Sequence, residues 1–571
     1  MKVIFALTLA FSTIAFPVIA QRPGRTQNPV DSAKKAGGDP RGKSMMIGTF
    51  RSRAAVSVPA DLDMIQTTGF GKAGSGGARY VKTDATGETP YRFKSEDGQW
   101  WELSEDRPHI NMFGAVGDGK TDNTAAFQAA SDYAAAGTSR RNGQGTSIDF
   151  SGGGQYVTGT FVLHSGVVFT DSRTVGKGGF SSASSSGALI MPASSIPADS
   201  FMIVTDNRAN GWGINGLQLA GAGSKSKTGG IKVNGGSDWR ITNNTFKGWG
   251  IEAIVVENAS PFVITYNMVQ GLNNQEYLVG KKQPTGAIRV SGADGNIMNN
   301  EFTGSANARG SNAFAVSGEE LYLGAAYFKG LQVSRLAFNI YQVADVGLRN
   351  PGALNVYTAE RFDTNAGHGL YFIDGGSDNT FVSPQIIRNS LAADGMYDGI
   401  YSATNGGRNT FLNPQFGSGA PMGDKTFSMR YYINDTKMDY THKFVNAYQA
   451  PRATSPAVKA FYNLPEDAEG SARVTIEDDG PLRVEGATPS VLGHKFIRLI
   501  NKQPTTVTDF TDGVPGQIIY VIGNEAAGGA STIAHGDKIK LRAGSGTTKV
   551  SIDKPLVFIN RGKAWLEITG G

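Results

Sequence analysis

The chain has 571 residues, 76 of them Gly and only 18% of them charged, with a net charge of +5. That length exceeds an ordinary compact domain but suits an elongated repeat fold, and a hydrophobic share of 39% excludes global disorder. There is no cysteine, which excludes disulfides, thiol nucleophiles and cysteine metal sites.

In chain order, Lys2, the apolar run Val3 to Ala15 and the small-residue end Val18-Ile19-Ala20 predict a signal peptide over 1–20, cleaved before Gln21. The run is broken by Ser12, Thr13 and Pro17 and is too short for a membrane span; no later segment is long enough either. Secretion from a bacterium, into the periplasm or outside the cell, is the expectation. Residues 21–53 carry Arg22, Arg25, Lys34, Lys35, Arg41, Lys43, Arg51 and Arg53 against Asp31 and Asp39, and read as a flexible basic linker. With no aromatic-interleaved basic patch, nucleic acid is not an expected partner.

Residues 54–107 read as a small β-module of short alternating segments and Gly turns, ending in Trp100-Trp101-Glu102-Leu103. The paired tryptophans predict packing rather than a ligand platform. Next comes Phe113-Gly114-Ala115-Val116-Gly117-Asp118-Gly119-Lys120-Thr121-Asp122-Asn123-Thr124-Ala125-Ala126-Phe127-Gln128-Ala129-Ala130. Gly117 to Gly119 predicts a turn, and Asp122 a cap for a helix beginning near Asn123. Its apolar face, Ala126, Phe127 and Ala130, would cover the open end of a strand stack.

This segment closely resembles the leading motif of the pectate-lyase-like superfamily, which includes polygalacturonases, rhamnogalacturonases and phage tailspikes. The resemblance implies an all-β fold: a right-handed parallel β-helix over 108–430, with small β-modules at both ends. It gives Asp118 and Asp122 turn and cap roles rather than chemistry.

The body supports a solenoid independently. Asn243-Asn244-Thr245-Phe246, Tyr266-Asn267-Met268-Val269 and Asn299-Asn300-Glu301-Phe302 recur at solenoid-like intervals, as do Asn379-Thr380-Phe381 and Asn409-Thr410-Phe411. Asn tolerates a left-handed bend and can hydrogen-bond its equivalent in the next coil. Residues 431–493 read as a connecting region, and 494–571 as a C-terminal β-module. That last module is similar to those on phage tail proteins, which raises a homotrimer as one assembly.

A long sheet face suits a polysaccharide partner. Hydrolysis would need paired carboxylates; β-elimination would need a base, often with Ca²⁺ neutralising a uronate. The sequence itself requires no cofactor, and Ca²⁺ enters only for a lyase; no metal ligands are assigned. The best local cluster supplies Glu360, Asp363, His368 and Asp374 as catalytic candidates, with Arg361, Tyr371 and Arg388 for substrate binding. Gly367-His368-Gly369 is similar to the Gly-His-Gly element of polygalacturonases, although the accompanying elements of that family are missing in order. Glu252 with Glu257 near Trp249, and Glu319 with Glu320 beside Tyr322, are further carboxylate pairs that read as structural. Three functions stand open. They are a secreted polysaccharide-degrading hydrolase or lyase acting on an acidic or cell-envelope glycan, a non-catalytic glycan-binding adhesin or envelope component, and a prophage-derived tailspike-like protein.

Overall fold

Short β-branched and aromatic strands separated by one- or two-residue bends cannot pair locally as hairpins, so each pairs with its equivalent one coil later. The computed structural model describes residues 44–140, 146–171, 187–304, 321–373, 375–392, 396–403, 407–417, 429–435, 442–445, 448–449, 460–463, 482–491, 494–513, 515–523, 531–551 and 554–568. The predicted leader and most of the basic linker lie outside them. The coils build three long sheets, one of 11 strands and two of 12, all parallel within the solenoid. The first sheet runs from Thr146–Asp149 to Lys443–Val445, the second from Asp118–Asp122 to Tyr448–Gln449, and the third from Phe161–Leu163 to Ala460–Asn463. This is a right-handed parallel β-helix.

Alternate residues point inward. In the first sheet Ile241, Ile264, Ile297, Leu336, Tyr357, Phe381 and Phe411 are in register and buried. Aromatic members stack face to face, Tyr357 on Phe381 at 4.4 Å and Phe381 on Phe411 at 4.6 Å.

At the corner entering the second sheet, asparagines form a buried ladder. Asn267 Oδ1 accepts the backbone N–H and Nδ2 of Asn244 (3.0 and 3.1 Å). Asn300 does the same for Asn267, and Asn339 for Asn300. A second ladder, Ser334-Asn355-Asn379-Asn409, lines the corner before the first sheet. A third, Asn365-Asn389, follows the second sheet. The sequence reading gave one asparagine both tasks, bending and bonding. The structure divides them: the preceding residue takes the left-handed bend (Asn243, Tyr266, Asn299, Phe338), and its neighbour makes the ladder.

The capping helix, Thr124–Arg140, closes the first coils. Asp122 Oδ1 accepts the N–H of Thr124 at 2.9 Å. Asp118 accepts the N–H groups of Thr121 and Lys120 and the Thr121 hydroxyl, which hold its carboxyl down at about 2. Phe127 packs on Phe161 at 5.2 Å and Phe150 at 5.6 Å. Trp101 is buried, its indole N–H donating to Ser95.

Three boundaries differ from the expectation, because strand pairing continues where the side-chain pattern fades. The N-terminal module begins at Ser44, whose strand Ser44–Thr49 pairs with Met64–Gly69 inside the stretch taken for linker. The β-helix passes residue 430: Tyr431–Asp435 and Ala460–Asn463 extend the third sheet. The C-terminal sheet begins at Leu482–Val484, paired to Phe496–Leu499, rather than at 494. The N-terminal module shares one continuous core with the β-helix, whereas the C-terminal module has its own.

Candidate functional site

Glu360 belongs to the ladder. Asn339 Nδ2 donates to Glu360 Oε1 at 3.2 Å, so the carboxyl stands where the next asparagine would be. It is wholly buried, against Tyr341 and Tyr357, and burial pushes its pKa well above the carboxylate range. Its second oxygen and the Tyr341 hydroxyl affect each other's ionisation yet make no hydrogen bond of proper geometry. A sealed, protonated ladder rung cannot meet a substrate on the surface, so Glu360 is corrected from catalytic candidate to core residue.

Directly after it, the strand Arg361–Asp363 turns Phe362 into the core and presents Arg361 and Asp363 outward. Arg361 Nη2 and Nε donate to Asp363 Oδ2 at 2.6 and 3.0 Å. Arg388, from the next coil, donates Nε to Oδ1 at 2.7 Å and Nη2 to Oδ2. The Asp363 side chain is only 2% exposed, while those of Arg361 and Arg388 are 38% and 30% exposed. Two guanidiniums thus cover one carboxylate and face solvent with one positive charge in excess. The hydrogen bonds that Arg388 donates to Asp363 raise the Arg388 pKa.

The same coil continues round the corner to His368 and the strand Leu370–Phe372. His368 stacks on Tyr371 (5.2 Å) and Tyr401 (4.7 Å), whose rings also meet each other at 5.5 Å, with Tyr397 edge-on at 5.3 Å. Its Nδ1 accepts the Asp398 N–H at 2.9 Å, which leaves the ring proton of the neutral imidazole on Nε2. Burial lowers its pKa to about 4, despite Asp398 nearby. It is therefore a neutral donor at physiological pH rather than a base. Gly367 and Gly369 flank it for packing: a Cβ would meet Leu321 Cδ1 at 2.7 Å in one case and Asn389 Nδ2 at 2.8 Å in the other.

Asp398, buried below, takes a bidentate pair from Arg430 (3.0 and 2.7 Å) and a bond from Asn434. On the outer row of the third sheet, Arg349, Tyr371 and Tyr401 are in register, with the Arg349 guanidinium 5.3 Å from the Tyr371 ring. Arg349, Tyr397, Asp398, Tyr401 and Arg430 were not singled out from the sequence. Tyr401 was reachable through the 30-residue repeat that carries Tyr371 onto it; the same offset carries His368 onto Asp398, but the residue type changes there and the repeat gives no sign of a carboxylate.

Asp374, Glu319 and Glu320 lie outside the described residues. Glu252 accepts the Thr285 hydroxyl at 2.6 Å, and Glu257 is paired with Arg289 and Lys232. Trp249 is buried with its indole N–H on Leu219 O, so it lines no surface beside them. Among the described residues no group of three His, Asp or Glu could hold a metal ion. No described helix is long and apolar enough to cross a membrane.

Three parallel sheets, stacked corners and a helical cap define a right-handed parallel β-helix. Within that fold, the chain is similar to tailspike protein 2 of an Escherichia coli O157:H7 bacteriophage. Identity is 13%, the TM-score 0.53, and the match covers 70% of this chain and 51% of that one. It is also similar to the enzymatically active domain of that tailspike, at 13% identity and TM-score 0.51, covering 68% of this chain and 55% of that one. The chain thus spans about half the length of these tailspike structures. No family model and no curated protein matches it.

Proposed function

We propose that the chain is an exported glycan-acting protein that grips an extended acidic polysaccharide on the outer faces of the β-helix. The observation that carries this reading is the Arg361–Asp363–Arg388 cluster, with two half-exposed guanidiniums over one buried carboxylate. A guanidinium fork matches a carboxylate bidentately. The partly exposed rings of Tyr397 and Tyr401 on the adjoining face suit a pyranose, which offers C–H groups to one side and hydroxyls at its rim. Likeness to a tailspike with an enzymatically active domain supports degradation as the outcome of binding, by hydrolysis or elimination. A second reading, binding without cleavage, is favoured by the state of the named groups: Asp363 is held by two arginines, and His368 is neutral and enclosed.

One panel separates these readings: polygalacturonate, alginate, hyaluronan, gellan and dextran, incubated with the mature chain. Absorbance near 235 nm marks the unsaturated sugar of a lyase, and reducing ends without it mark a hydrolase. Binding with neither establishes the second reading, and no binding to any acidic member refutes the proposal.

A further inference from the structure

The bends entering the second sheet form a straight column, each left-handed residue donating its N–H to the strand of the next coil. Asn243 N–H bonds Thr265 O, Tyr266 bonds Met298, Asn299 bonds Ala337 and Phe338 bonds Thr358, at 2.9–3.1 Å. Beyond Ala359 the column continues through Ser383 and Asn413, also at positive φ. Asn, Ser and Ala are inexpensive there, because Asn tolerates this conformation best and the others are small. Tyr266 and Phe338 are not: they hold φ of 57° and 58° while 55% and 59% of their surface faces water. Neither ring stacks on another aromatic among the described residues in any contact the structure records. Two bulky rings at strained, exposed positions break a local rule that their neighbours obey, and such violations cluster where a ligand is bound.

Their spacing identifies the ligand. Tyr266 and Phe338 are two coils apart with Asn299 between them, which places them about 10 Å apart at ordinary strand spacing. That matches every second ring of an extended pyranose chain, whose rise per residue is about that of one coil, with the Asn299 amide beside the intervening ring. One coil past Phe338, Ala359 and Glu360 lead directly into Arg361. We propose that this column is a second set of sugar subsites, taking neutral pyranoses of a mixed polysaccharide whose spaced carboxylates reach Arg361 and Arg388. The inference rests on the reading of the cluster above and extends it along the helix axis.

Tyr266→Asn and Phe338→Asn are suitable variants, since Asn already fills this position in the coils of Asn243, Asn299 and Asn413. Unfolding temperatures should therefore be equal to or above wild type. Affinity for hyaluronan or gellan, by isothermal titration, should fall about tenfold per ring, a loss near 1.4 kcal/mol. Phe338→Tyr should restore most of it. Wild-type affinity in the folded double variant overturns the inference, and so does a changed mass by light scattering with affinity intact, which would assign the rings to contact between copies. If wild type binds no acidic member of the panel, the parent reading fails as well. If binding needs Arg361 and Arg388 but neither ring, the column alone fails.

Discussion

Asp363 shows how one side chain can be indispensable without being reactive. Its carboxylate holds both guanidiniums in place, so removing the arginines alone would strand a buried charge and cost several kcal/mol. Replacing it by Asn does the opposite: the arginines keep an acceptor and lose their compensating charge. One extra unit of surface charge is worth about 1 kcal/mol, so Asp363→Asn should bind an anionic glycan roughly fivefold more tightly at low salt. Abolished product formation with binding intact would instead assign Asp363 to chemistry. Glu360 is the companion case. Its folded pKa is raised above the unfolded one, so the folded state keeps a proton that the unfolded state has lost, and stability falls as pH rises above about 4.5. Glu360→Gln keeps the acceptor for Asn339 and cannot ionise. Its unfolding free energy, by denaturant titration, should exceed wild type by a margin that widens from pH 4 to pH 8, reaching about 1 kcal/mol or more; parallel curves would contradict the buried ionisable rung.

Among the elements, the capping helix is the most pH-sensitive attachment. His164, after the first strand of the third sheet, meets Asp206 at 2.6 Å through Nδ1 and Asp132 of the helix at 2.9 Å through Nε2. Burial lowers its pKa, but the hydrogen bonds of the two carboxylates outweigh burial, and the net shift is upward from 6.5. A raised histidine pKa contributes stability fully below about 6.5 and loses it as pH rises through the folded value. The carboxylates are almost half exposed, so screening limits the effect to about 0.5–1 kcal/mol. His164→Gln should accelerate hydrogen exchange in Thr124–Arg140 at pH 5.5 and leave it unchanged at pH 8.5; equal acceleration at both would refute the linkage. The ladders are the stronger ties: Asn300→Ala leaves the buried backbone N–H of Asn267 without its acceptor, while Asn267 Nδ2 keeps Ile241 O and Thr265 O, and should cost about 1–3 kcal/mol by denaturant titration.

At these two scales, legibility followed the range of the interaction. The turn at Asp118 and the cap at Asp122 are local hydrogen bonds, and their residues announce them. The ladder asparagines announce themselves by spacing, but Glu360 replaces one of them, and Ala359-Glu360-Arg361-Phe362 does not look like Phe338-Asn339-Ile340-Tyr341 until the coil register is known. Gly367-His368-Gly369 suggested chemistry by its likeness to the polygalacturonase element, whereas its glycines serve packing against Leu321 and Asn389, a role invisible in one dimension. The Asp398–Arg430 pair joins neighbouring coils through side chains that the repeat does not preserve, and could be found only in space.

At the scale of the whole molecule, the shared core of the N-terminal module and β-helix predicts that they melt together, while the C-terminal core is separate. Calorimetry of the mature chain should resolve two transitions, and a single transition would contradict independent cores. In the proposed function the β-helix holds an acidic glycan through two guanidiniums. Its most direct test compares wild type with the triple variant Arg361→Gln, Asp363→Asn, Arg388→Gln, which leaves no buried charge unpaired, in titrations against the acidic panel at several salt concentrations. The account predicts an unchanged unfolding temperature, affinity lowered at least tenfold and a shallower dependence on salt. Wild-type affinity and salt dependence in the folded triple variant would contradict it.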